Sequence, residues 1–286
     1  MLRLGGVVEF AAEPSRDPEA LARAHKEAGY TAAYCPSFVT LEDLAGIRAT
    51  RDAFAKAGVT IAEVGAWCSL AIPDERERKR NIDYVCQRLA LADEVGALCC
   101  VDYFGSLEAG TSYAPHPDNL SRVGFDLCVE TARTIIDTVK PKRAAFCFEM
   151  MQTCFPNSPD SYLNLIKAVA RPQFAAHLDP ANVIILPQDY VDNGAVIKRC
   201  FDLLGPWIIS SHAKDLSIGE KLAYHIDEVL PGTGRLDYRT YLTGLDKLGR
   251  DVPLMIEHLQ TPQEYAQARD NISALANEAG VRLNGA

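Results

Sequence analysis

Phe174-Ala175-Ala176-His177-Leu178-Asp179-Pro180 is a short apolar run with no polar alternation, closed by an acid and a proline. A strand buried on both faces reads this way, and such strands belong to parallel sheets covered by helices. Three more runs share the build and end in a side chain able to ligate a metal. They are Ala144–Glu149, Trp207–His212 and Leu254–Glu257. Upstream, Gly6–Phe10, Thr31–Cys35, Thr60–Trp67 and Leu98–Tyr103 complete a set of eight.

Between the runs lie amphipathic stretches with recognisable ends. Asp17-Pro18-Glu19 opens the first helix as N-cap and first-turn proline, and Gly29 stops it. Leu41–Lys56 ends at Gly58, Glu75–Glu94 at Gly96, and Asn119–Val139 before Pro141. Ser158-Pro159-Asp160 opens the fifth helix, Asn193–Leu204 ends at Gly205, and Asp237–Leu248 at Gly249. Thr261-Pro262-Gln263-Glu264 opens the last, which runs to about Gly280. Eight strand–helix repeats without a linker predict one α/β domain over residues 1–286, a (β/α)8 TIM barrel. An open doubly wound sheet would carry a Gly-rich phosphate turn after its first strand, and Phe10-Ala11-Ala12-Glu13 is not one.

Composition narrows the function. A net charge of −9 gives a nucleic-acid partner no electrostatic help. No apolar run approaches the ~20 residues that span a bilayer, and Met1–Gly6 lacks a secretory h-region, so a cytoplasmic protein is expected. Nine cysteines, an odd number with no Cys-x-x-Cys, read as buried thiols rather than disulfides or a thiolate zinc site.

In α/β barrels the chemistry sits at the C-terminal ends of the strands. Glu149, Asp179, His212 and Glu257 occupy that rim on the last four strands. Three carboxylates and an imidazole brought together there suit a divalent cation. Any one of them alone is more often a helix cap, a surface charge or a satisfied core histidine; the joint pattern carries the reading. Lys214 shares the side of His212 and can steady an alkoxide or a phosphate, or else form a plain ion pair. His177 shares the face of Asp179, as a barrel-interior residue or a partner of the site. Trp67 ends the third strand, as an apolar wall against a sugar or as packing. His258 is expected to point toward the helices, and His116 and His225 to be solvated loop residues. Asp74–Arg80 reads as a solvated helix start. Pro231-Gly232-Thr233-Gly234 reads as a rim loop, since no Lys–Ser/Thr phosphate turn follows it.

Phe148-Glu149-Met150-Met151, residues 177–182, Ser211–Asp215, residues 230–238 and Ile256-Glu257-His258 together resemble the xylose isomerase-like TIM barrel superfamily. That superfamily holds sugar and sugar-phosphate isomerases and epimerases, inosose dehydratase and endonuclease IV. The resemblance covers nearly the whole chain and implies Glu149, Asp179, His212 and Glu257 as metal ligands. It implies Mn2+ first, with Mg2+, Co2+ or Zn2+ in some members. It further implies a carbohydrate substrate and a possible homo-oligomer. An isomerase or epimerase is the leading expectation, working through a metal-stabilised enediolate with Glu149 and Glu257 as the acid–base pair. Alternatives are a lyase of inosose-dehydratase type or one eliminating from 3-keto-glycosides, and a non-catalytic sugar-binding barrel. Two departures count against a free-ketose 3-epimerase: Asn182 stands where those enzymes place a His, and no Arg follows His212 until Arg235. Lys214, Trp67, His177 and Asn182 are the candidate substrate contacts.

Overall fold

A computed structural model describes residues 2–10 and 15–284. Its centre is a closed barrel of parallel strands in the order β1-β10-β7-β6-β5-β4-β3-β2. The barrel strands are β1 Arg3–Gly5, β2 Ala32–Tyr34, β3 Thr60–Gly65, β4 Cys99–Asp102, β5 Ala145–Phe148, β6 Phe174–Leu178, β7 Ile208–Ala213 and β10 Pro253–Ile256. Strands β4, β6 and β10 are buried at every position, the expected consequence of helices outside and packed side chains inside. Small residues such as Ala32, Ala62, Cys99 and Cys147 fill the barrel with Met255, all 0% exposed.

The helices are α1 Pro18–Glu27, α2 Leu44–Ala57, α3 Glu75–Val95, α4 Arg122–Val139, α5 Pro159–Val169, α6 Pro187–Val191, α7 Asn193–Leu204, α8 Tyr238–Lys247 and α9 Pro262–Ala279. Their ends follow side-chain chemistry. Asp17, Ser158 and Thr261 each accept from a first-turn N–H, with a proline at the start of the helix. Helices α2 and α4 start three residues later than the apolar pattern suggests, because Asp43 and Ser121 supply the caps.

Two expectations need correction. The first strand is Arg3–Gly5, not Gly6–Phe10. Arg3 is clasped by Asp251 and by the carbonyls of Thr31 and Gly58, while Phe10 packs against Tyr265 above the sheet. The eight expected strands are joined by two more, an antiparallel hairpin after β7 of β8 Asp215–Ile218 with β9 Ile226–Val229. The segment Phe10–Glu13, which lacks the glycines of a phosphate turn, falls largely outside the described residues, since 11–14 are not among them. All nine cysteines are free thiols. No helix among the described residues is long and apolar enough to cross a membrane.

Candidate metal centre and substrate cleft

Strand direction delivers four side chains to one point. Glu149, Asp179 and Glu257 each follow the last residue of β5, β6 and β10, and His212 lies near the end of β7. One ligand atom from each lies within 4.8 Å of all the others. His212 Nδ1 is 2.9 Å from Glu257 Oε1, 3.0 Å from Glu149 Oε1 and 3.8 Å from Asp179 Oδ2.

Lys214 reaches the same point. Its Nζ lies 2.8 Å from both Asp179 Oδ2 and Glu257 Oε1, and 3.6 Å from Glu149 Oε1. Asn182 Oδ1 accepts a further hydrogen bond from it at 3.3 Å. Lys214 is therefore a buried member of the cluster, not a surface charge.

The electrostatics follow from burial in an acid-rich pocket. Burial opposes ionisation of Asp179, yet the Lys214 and His212 charges outweigh it and hold the carboxyl below its usual value. Glu257, against the same burial, is pulled down to about 2 by His212 and Lys214. Burial disfavours the His212 and Lys214 charges, but the surrounding carboxylates raise both groups above their ordinary values.

A carboxylate that the strand pattern did not single out lies beneath. Glu63 is fully buried; Oε1 is 3.0 Å from His177 Nε2 and Oε2 is 3.2 Å from His212 Nε2. Ser210 Oγ donates to Oε1 as well. Burial would raise the Glu63 pKa, but His212 and His177 outweigh it and lower the value. The cause of its inward aim is a register jump: Ala33 pairs with Ile61 and Tyr34 with Glu63, leaving Ala62 as an extra residue on β3. His177 sits with its ring 4.1 Å from that of His212, is 0% exposed, and does not line the cleft.

The residues present fit a divalent cation. Asp179 Oδ2 and Glu257 Oε1 are buried without an acceptable hydrogen bond among the described residues, although the Lys214 ammonium is close to each. Oxygen-rich donors with one imidazole suit a hard or borderline divalent ion. Such an ion would be held by Glu149, Asp179, His212 and Glu257.

Glu149, Glu257 and Lys214 of the cluster face a cavity of 660 Å³ walled by Tyr34, Trp67, Tyr103, Tyr113 and Tyr265, while Asp179 and His212 lie buried behind them. Trp67, with its ring 6.2 Å from that of His212, lies at a φ of 53°, rare for a bulky side chain. Asp102 holds this turn by accepting the Cys68 and Tyr103 amides, and burial raises its own pKa. Gly65 makes room: a Cβ there would lie 2.1 Å from Trp67 Nε1. His258 also has a positive φ, 61°, and turns back to the cleft mouth, where Nδ1 is 3.0 Å from Glu228 Oε2. It does not face the helices. Strained residues of this kind concentrate at binding sites. His225 lines a neighbouring lobe, whereas the 231–234 loop wraps Asp215, whose carboxylate accepts from Gly232 and Gly234.

Comparison with known proteins agrees with this architecture. A search of curated proteins finds no match. Among solved structures, a xylose isomerase domain protein from Planctomyces limnophilus superposes with a TM-score of 0.71 at 19% identity, covering 98% of each chain. A xylose isomerase-like TIM barrel protein from Mycobacterium smegmatis in complex with magnesium gives 0.66 at 17%, covering 97% of each. D-psicose 3-epimerase from Clostridium cellulolyticum H10, solved with D-tagatose, gives 0.63 at 14%, covering 97% of this chain and 96% of that one. The family model for xylose isomerase-like TIM barrels matches residues 22–277, and the chain belongs to that family.

Proposed function

We propose that the protein is a divalent-metal-dependent isomerase or epimerase of a sugar or keto-sugar. The observation that carries this reading is the meeting of Glu149, Asp179, His212 and Glu257, with Glu149 and Glu257 opening onto an aromatic-walled cleft. Sugar-epimerase and magnesium-bound neighbours of the same fold support it. When bound, the ion supplies Lewis-acid stabilisation of a developing oxyanion. Mn2+ is the first candidate, and the donor set also suits Mg2+, Co2+ or Zn2+.

The protein's own groups carry the proton. Glu149 and Glu257 each have a second carboxylate oxygen besides the one directed at the cluster, and they come from different strands of the ring. One takes the proton from the carbon next to the substrate carbonyl and the other returns it. Lys214 donates hydrogen bonds to substrate oxygen, Asn182 steadies Lys214, and Trp67 covers the apolar sugar face. Lys214 also favours a second reading: a buried ammonium beside the acids can protonate a leaving oxygen, which turns the same proton abstraction into elimination.

Incubation with Mn2+ and ketoses in D2O tests the proposal. Deuterium at a retained carbon supports isomerisation or epimerisation, and an unsaturated or cleaved product supports elimination. Glu149→Gln should abolish exchange; near-normal turnover in that variant removes the proposed base, and no exchange with any candidate leaves a sugar-binding barrel.

A further inference from the structure

A second lobe of 360 Å³ adjoins the main cavity. The two share Gln152, Asn182, Lys214 and Glu228 as a common border, so a molecule seated over the acids can cross directly into it. The far wall comes from Ile184 and Ile185 on one side and from Tyr224, His225 and Ile226 of the hairpin on the other. Tyr224 Oη donates to the Ile185 carbonyl at 3.3 Å and ties the two sides together. At its base the hairpin is anchored by the buried Asp215, so the lobe is built into the fold.

We infer that this lobe receives a second ring joined through a glycosidic bond, so that the substrate is a glycoside or disaccharide and not a free monosaccharide. The inference rests on the sugar-site reading of the inner lobe. Three observations carry it. A hexose takes the volume of about six waters, ~180 Å³ at ~30 Å³ each, which leaves much of the 660 Å³ inner lobe and all of the outer lobe unfilled. The outer lining mixes isoleucine and tyrosine faces, which cover ring C–H surface, with Gln152, His225 and Glu228, which pair with hydroxyls. A phosphate is the poorer occupant, because Lys214 is already held 2.8 Å from two carboxylates and Glu228 adds a negative wall.

The test is calorimetric titration of the Mn2+-treated protein with D-fructose, D-fructose 6-phosphate and three keto-disaccharides of different linkage: turanose, lactulose and isomaltulose. At least one disaccharide should bind about tenfold more tightly than D-fructose, ~1.4 kcal/mol. The exposed-site variants Tyr224→Ala and Ile185→Ser should bring that ratio close to one. The inference is overturned if no disaccharide outperforms D-fructose or its 6-phosphate, if no sugar binds, or if both variants keep the ratio. Mn2+ uptake without sugar is read separately: uptake with D-fructose binding but no disaccharide preference removes the subsite alone, and failure of uptake removes the metal reading.

Discussion

Glu63 Oε2 meets His212 at Nε2, on the opposite side of the ring from the nitrogen that faces Glu149 and Glu257. A carboxylate behind an imidazole fixes ring orientation and tautomer and makes the outward nitrogen a better ligand. Glu63→Gln keeps the shape and removes the charge. Mn2+ affinity should fall about 10–100-fold, read from the free-ion EPR signal, while circular dichroism remains that of the parent. Unaltered affinity would show that Glu63 merely fills the barrel.

Metal addition should stabilise the native protein, because the four donors converge only in the folded chain. Mn2+ at about 100 times Kd contributes ~2.7 kcal/mol, a rise in Tm of roughly 4–5 °C for a chain of this length. EDTA should reverse it. Asp179→Asn weakens the charge and should lose most of the shift in differential scanning fluorimetry; an equal shift in that variant would place the ion elsewhere.

The four candidate ligands were legible because each closes or follows a continuous apolar run, and the barrel places all such ends on one rim. Glu63 was not, because it stands mid-strand and turns inward only through the extra residue Ala62. Lys214 was placed on the correct face, but its depth among the acids depends on three other strands. The hairpin did leave a signal: Asp215-Leu216-Ser217-Ile218 alternates with period two. His258 was misread because strand alternation does not hold past a residue of positive φ.

Asp215 accepts backbone amides from Leu216, Gly232, Gly234 and Leu236 while 1% exposed. Asp215→Ala leaves four donors without their acceptor and should cost about 3 kcal/mol in urea denaturation. Gly234→Ala should also destabilise, since its Cβ would lie 2.4 Å from Asp215 Oδ1. A loss below about 0.5 kcal/mol for Asp215→Ala, the range of an ordinary surface change, would deny the carboxylate its anchoring role.

His25 supplies a pH dependence remote from the cleft. His25 is 5% exposed, its ring lies 5.6 Å from the Phe54 ring, and Nδ1 donates to the Leu21 carbonyl at 2.9 Å. Burial lowers its pKa below the usual 6.5, against the opposing effect of that hydrogen bond. Between the two values the unfolded chain carries the proton and the folded chain does not, so stability falls as pH drops from 6.5 toward the folded pKa. The slope from one such group reaches ~1.4 kcal/mol per pH unit. His25→Gln removes the titration, so the stability difference between parent and variant should shrink on acidification. Urea titrations at neutral and mildly acidic pH measure it, and a difference that stays constant across that window would exclude His25 as its source.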